Sequence, residues 1–75
     1  MNKKTFNLKP ADEFIELIRL LKFESIANTG GHAKILVEDG FVYVNGEQEF
    51  RKRRKLRPGD LVECDGTTVE VLAAK

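Results

Sequence analysis

Gly40-Phe41-Val42-Tyr43-Val44-Asn45-Gly46 is where the period of the chain changes. Phe41, Val42, Tyr43 and Val44 are aromatic or β-branched, the side chains that suit a pleated, half-buried surface. Asn45-Gly46 is the strongest two-residue hairpin signal, because both residues tolerate the positive φ of a type I′ turn. Gly40 fits the left-handed position that closes many helices. A helix is therefore predicted to end near Gly40, and a strand over residues 41–44 to run into a hairpin.

Upstream the spacing is helical. Thr29 can cap a helix by accepting a bond from a first-turn amide, and Ala33, Leu36, Val37 and Gly40 follow at helical intervals. Farther back, Phe14, Leu17, Ile18 and Leu21 stand at i, i+3, i+4 and i+7, with Ile15 and Leu20 widening the stripe. Pro10 followed by Ala11-Asp12-Glu13 reads as the start of this first helix, predicted to run to about Lys22. Residues 3–8 alternate weakly, with Phe6 and Leu8 on one side, and predict a short strand.

Downstream, Pro58-Gly59-Asp60 and Asp65-Gly66 are turn signals that bracket a strand over residues 61–64. A last strand is predicted over residues 68–72, with Val69 and Val71 facing one way and Glu70 the other. Two helices followed by a small antiparallel sheet with hairpins make an α+β domain.

The 75 residues fit a single domain, 1–75, and 41% hydrophobic content supplies one core. A chain this short buries only somewhat more than about 60% of its unfolded surface, so its stability margin is thin. No apolar run approaches the roughly 20 residues of a membrane span, so no membrane partner is expected. No secretory signal is recognisable, and a cytoplasmic location is expected. With one cysteine, Cys64, and one histidine, His32, the chain offers neither an internal disulfide nor a Cys/His zinc set. No cofactor or metal is expected. Cys64 reads as a small core residue. Glu13 and Glu16 lie a turn apart, with Arg19 as an i+3 partner for Glu16, and form no hydrolytic pair. The chain reads as a non-enzyme.

The residues that carry chemistry are Arg51-Lys52-Arg53-Arg54-Lys55-Leu56-Arg57, six cations in seven positions in a chain of net charge +1. Such a run repels itself and gains little from folding alone, but suits a polyanion. Strict alternation between Phe50 and Leu56 would point Lys52 and Arg54 into the core, at prohibitive cost. The segment is therefore predicted to be a loop, bulge or exposed edge anchored by Phe50 and Leu56. Pairing with Glu47, Glu49 and Glu63 is the bland alternative, and surface pairs contribute little. Thr29-Gly30-Gly31 offers free backbone amides at a helix start, where plain capping is the simpler reading. His32 could stack on a base or bond a phosphate, or merely be exposed.

Thr29-x-x-x-Ala33, then Gly40-x-Val42-x-Val44-Asn45-Gly46, then Gly59-Asp60-x-Val62 resembles the RNA-binding domain first described in ribosomal small-subunit protein four, also called the αL motif. The resemblance covers roughly residues 14–64. Gly30-Gly31-His32-Ala33-Lys34 and the run 51–55 look most like the stand-alone bacterial YbcJ-like proteins. In that family RNA lies across the second helix and the loop after Val-Asn-Gly, which implicates Thr29, Lys34, Arg51, Lys52, Arg53 and Lys55. The family usually carries Arg after its capping Ser, where this chain has Gly30. Together with His32, Arg54 and Arg57, these residues form the expected RNA contact. The expected partner is structured RNA, such as ribosomal RNA or tRNA, bound by a monomer. The rival reading is a protein-docking module on the ribosome or on an RNA-modifying enzyme.

Overall fold

The computed structural model describes residues 2–74. Its order is β1 (Asn2–Asn7), β2 (Ile15–Glu16), α1 (Leu17–Phe23), α2 (Gly30–Glu38), β3 (Val42–Val44), β4 (Glu47–Gln48), β5 (Lys55–Leu56), β6 (Leu61–Cys64) and β7 (Thr67–Leu72). Five strands form one sheet in the order β1-β7-β6-β3-β4, and β2 pairs with β5 in a second, two-stranded sheet. The α+β class is as expected. The main sheet is mixed rather than antiparallel, because β1 lies parallel to β7, with Phe6 opposite Val71.

The core lies between the helices and one face of the main sheet. Leu17, Leu20 and Leu21 of α1 and Ala33 and Val37 of α2 meet Val42, Val44, Val62, Cys64, Val69 and Val71. Alternation does the sorting in β3, β6 and β7: every second side chain points inward, and Tyr43, Glu63 and Glu70 go outward.

The second helix matches its signals. Thr29 Oγ1 accepts from the His32 amide at 3.0 Å, and Gly40 ends the helix at φ +84°. The Phe41 amide reaches back to the Leu36 carbonyl at 3.0 Å, the Schellman closure that a left-handed residue permits. Asn45 and Gly46 have φ 53° and 83°, the hairpin turn expected of them.

The first helix is shorter than predicted. Residues 10–14 are not helical, and Ile15–Glu16 is extended because it pairs with Lys55–Leu56. Phe14 is therefore not on the core stripe of a helix. It is half-buried, with Lys55 Nζ 5.0 Å from its ring centroid. Glu16 and Arg19 form no ion pair among the described residues, and the Arg19 guanidinium lies 6.0 Å from the Phe23 ring.

Candidate nucleic-acid interface

The basic segment is a tight turn, closed by the Arg54 amide on the Arg51 carbonyl at 3.2 Å. Three separate devices fix its place. Leu56, fully buried, anchors its far end. The first free amides of α1 hold its middle: Leu17 donates to the Arg54 carbonyl at 2.9 Å and Ile18 to the Lys52 carbonyl at 3.1 Å. A helix start leaves such donors without internal partners, so loop and helix complete each other.

The third device is Glu49, and it replaces the anchor assigned to Phe50. Phe50 is 55% exposed, whereas Glu49 is 7% exposed. The Glu49 carboxylate accepts from the amides of Phe50 and Arg51, from Arg51 Nε and Nη2, and from Arg54 Nη1 at 2.7 Å. The Arg51 guanidinium, against the opposing effect of burial and with help from Arg54, holds its pKa down at about 2. The same contact raises the pKa of Arg51. Glu49 is thus a buried anion around which the cations are arranged. Glu49 was one of three acidic partners legible in the sequence; its burial was not.

This pairing divides the run. Arg51 and Arg54 are tied to Glu49, while Lys52, Arg53, Lys55 and Arg57 form no ion pair among the described residues. Lys55 and Arg57 share the Phe14 ring, at 5.0 Å and 6.0 Å. Arg51, Arg53, Arg54 and Lys55 border an open cleft of about 610 Å³. Glu47 and Glu63 pair with none of these cations.

On α2, Lys34 is exposed and carries no ion pair among the described residues. Thr29 and His32 form a reciprocal cap. Besides the bond to Thr29, His32 Nδ1 accepts from the Asn28 amide at 3.2 Å, and its ring is half-buried. No hydrogen bond or ion pair among the described residues joins Thr29, His32 or Lys34 to the basic loop. The two regions approach at the other end of α2, where a β-carbon on Gly40 would stand 3.5 Å from the Phe50 ring. Cys64 is buried, and burial followed by the Asp65 charge pushes its thiol pKa up, as suits a core residue.

The two distant halves of the sequence motif meet in space. Asn45 Nδ2 donates to Asp60 Oδ1 at 3.0 Å, and Asn45 Oδ1 accepts from the Leu61 amide at 2.9 Å. Asp60 Oδ2 accepts from the Arg57 amide at 2.8 Å, which fixes the exit of the basic segment. A hairpin asparagine, a turn aspartate and a cationic loop are one hydrogen-bonded unit.

Such a unit, on a small sheet backed by two helices, defines a compact cation-presenting α+β domain. The chain belongs to the S4 domain family, whose model matches residues 8–72. YbcJ of Escherichia coli (strain K12) is 42% identical over 59 residues, covering 79% of this chain and 84% of YbcJ. RlbA of Bacillus subtilis (strain 168), a protein named for ribosome maturation, is 41% identical over 54 residues, covering 72% of this chain and 76% of RlbA. The solution structure of E. coli YbcJ, described as revealing an αL motif involved in RNA-binding, matches with a TM-score of 0.71 at 40% identity. That match covers 92% of this chain and 86% of YbcJ. The family resemblance read from the motifs is borne out.

Proposed function

We propose that this chain is a non-catalytic RNA-binding protein that grips the phosphate backbone of a structured RNA with its basic loop. The observation that carries this reading is the fixing of the loop by Glu49, by the α1 amides and by Leu56. Folding stability does not require four further cations at one spot. A polyanion does, because each cation that neutralises a phosphate releases a condensed counterion. Arg53 and Arg57 add a planar fork that fits phosphate oxygens. Lys52 and Lys55 add compact point charges. Arg51 and Arg54 chiefly shape the loop, and Arg51, with its side chain 73% exposed, keeps donors free for a second acceptor.

The surface of α2 supplies Lys34 as a further phosphate contact. Thr29 and His32 shape the helix start and retain one donor each for RNA. Recognition rests on shape and charge, since paired RNA hides its base edges in a narrow groove. Ribosomal RNA is the favoured target, and the name of the relative RlbA supports it.

The test compares the wild type with a variant carrying Lys52→Ala, Arg53→Ala, Lys55→Ala and Arg57→Ala, titrated against a folded ribosomal RNA fragment. Binding is expected to disappear while the melting temperature stays near that of the wild type. Undiminished affinity in a folded variant removes the loop from the interface.

A further inference from the structure

Both helices cover one face of the main sheet, and the other face is open. The outward side chains of β3, β6 and β7 line up there. Tyr43 stands opposite Glu63, Glu63 opposite Thr68, and Leu61 opposite Glu70. Tyr43 is 42% exposed, Leu61 37%, and Phe41, at the end of the row, 57%. Phe41, Tyr43, Glu63, Asp65 and Thr68 border a cleft of about 280 Å³. Glu63, Asp65 and Glu70 take part in no ion pair among the described residues. Lys3, in register with Thr68 at the β1 edge, is the cation on this row.

We propose that this open face docks a basic, arginine-bearing segment of a partner protein. The occupant follows from charge and shape together. Glu63 and Asp65 beside the exposed rings, with Glu70 opposite Leu61, repel phosphate, so the face does not extend the RNA surface. A guanidinium satisfies both features at once, stacking on an aromatic ring and forking onto a carboxylate. Exposed apolar side chains with a charged rim mark interaction sites on small soluble domains. The six cations of residues 51–57 belong to the basic loop and the two-stranded sheet, not to this face, which carries Glu63, Asp65 and Glu70. The molecule is thereby two-sided, with one surface for a polyanion and one for a polycation. This inference goes beyond RNA binding and stands without it.

Tyr43 is the only tyrosine, and the chain has no tryptophan, so its emission reports on this face alone. An arginine–serine repeat peptide titrated into the full chain is expected to change that emission and to saturate. Glu63→Gln with Asp65→Asn is expected to weaken binding by about tenfold, the effect of losing two partly desolvated charge contacts. The variant lacking the four loop cations is expected to bind the peptide as the wild type does, which separates this proposal from the fate of the RNA reading. Unchanged Tyr43 emission on peptide addition, or equal affinity in the Glu63/Asp65 variant, overturns the proposal. Self-association that Glu63→Lys abolishes would assign the face to a second copy of this chain instead.

Discussion

Arg54 Nη1 lies 2.7 Å from Glu49 Oε1, and this pair is the hinge between the sheet and the basic loop. Arg54 is partly sheltered, with its side chain 30% exposed, and Glu49 more so at 9%. A buried carboxylate with five donors is stable only as an anion, so its charge state and the shape of the loop are one property.

Acid should therefore loosen the loop. Folding lowers the Glu49 pKa from its ordinary 4.5 to about 2. The stabilisation is complete above 4.5 and is lost as the pH falls through about 2. Glu49→Gln keeps the shape but not the charge, at an expected cost of about 2 kcal/mol at neutral pH. Arg51 is exposed, and solvent screens its share of this cost. Urea titrations across pH check this: the gap between wild type and variant should close below pH 2. A gap independent of pH would mean that the carboxylate carries no special charge.

Salt dependence counts the phosphates engaged. Four loop cations free of Glu49, each displacing about 0.7 to 0.9 counterions, contribute about −3 to −4 to the log–log slope of RNA affinity, and Lys34 adds a little under about one unit more. Arg53→Ala alone should make the slope shallower by a little under about one unit and weaken binding similarly across RNA sequences. Fluorescence anisotropy at several potassium chloride concentrations measures both. A slope near zero would show that the loop cations do not neutralise phosphate.

Gly40 has two reasons to be glycine. Its φ is +84°, and a β-carbon there would collide with the Gln48 side-chain amide, which donates to the Gly40 carbonyl at 2.9 Å. Gly40→Ala is expected to cost about 1–3 kcal/mol. Gly40→Ala with Gln48→Ala should recover only the steric part. Thermal melts of the two variants separate strain from crowding, and full recovery in the double variant would leave no cost to the backbone conformation.

What the sequence revealed depended on how local each signal was. Thr29, Gly40 and Asn45-Gly46 act within a few residues of themselves, and the structure keeps α2 and the hairpin where those residues put them. The start of α1 misled because Phe14, Leu17, Ile18 and Leu21 fit a helical face equally well with or without Ile15–Glu16 being extended. Pairing with Lys55–Leu56, about forty positions away, decided it. The parallel partnership of β1 and β7 joins the two ends of the chain, beyond the reach of any window. The cationic run was plain in composition. The buried role of Glu49 was not, because burial is a property of the fold and not of the residue.

The two ends of the basic loop hold it unequally. Leu56 is fully buried among core side chains and sits in register with Ile15, so its truncation leaves a cavity and frees the β2–β5 pair. Leu56→Ala should cost about 2–5 kcal/mol. Phe50 is more than half exposed, and its ring touches the structure beside Gly40. Phe50→Ala should cost under about 1 kcal/mol, within the range of surface changes. Denaturant unfolding with the single tyrosine as reporter gives both values. Should Phe50→Ala prove the more damaging, the loop hangs from its near end after all, and Glu49 follows the aromatic ring rather than leading it.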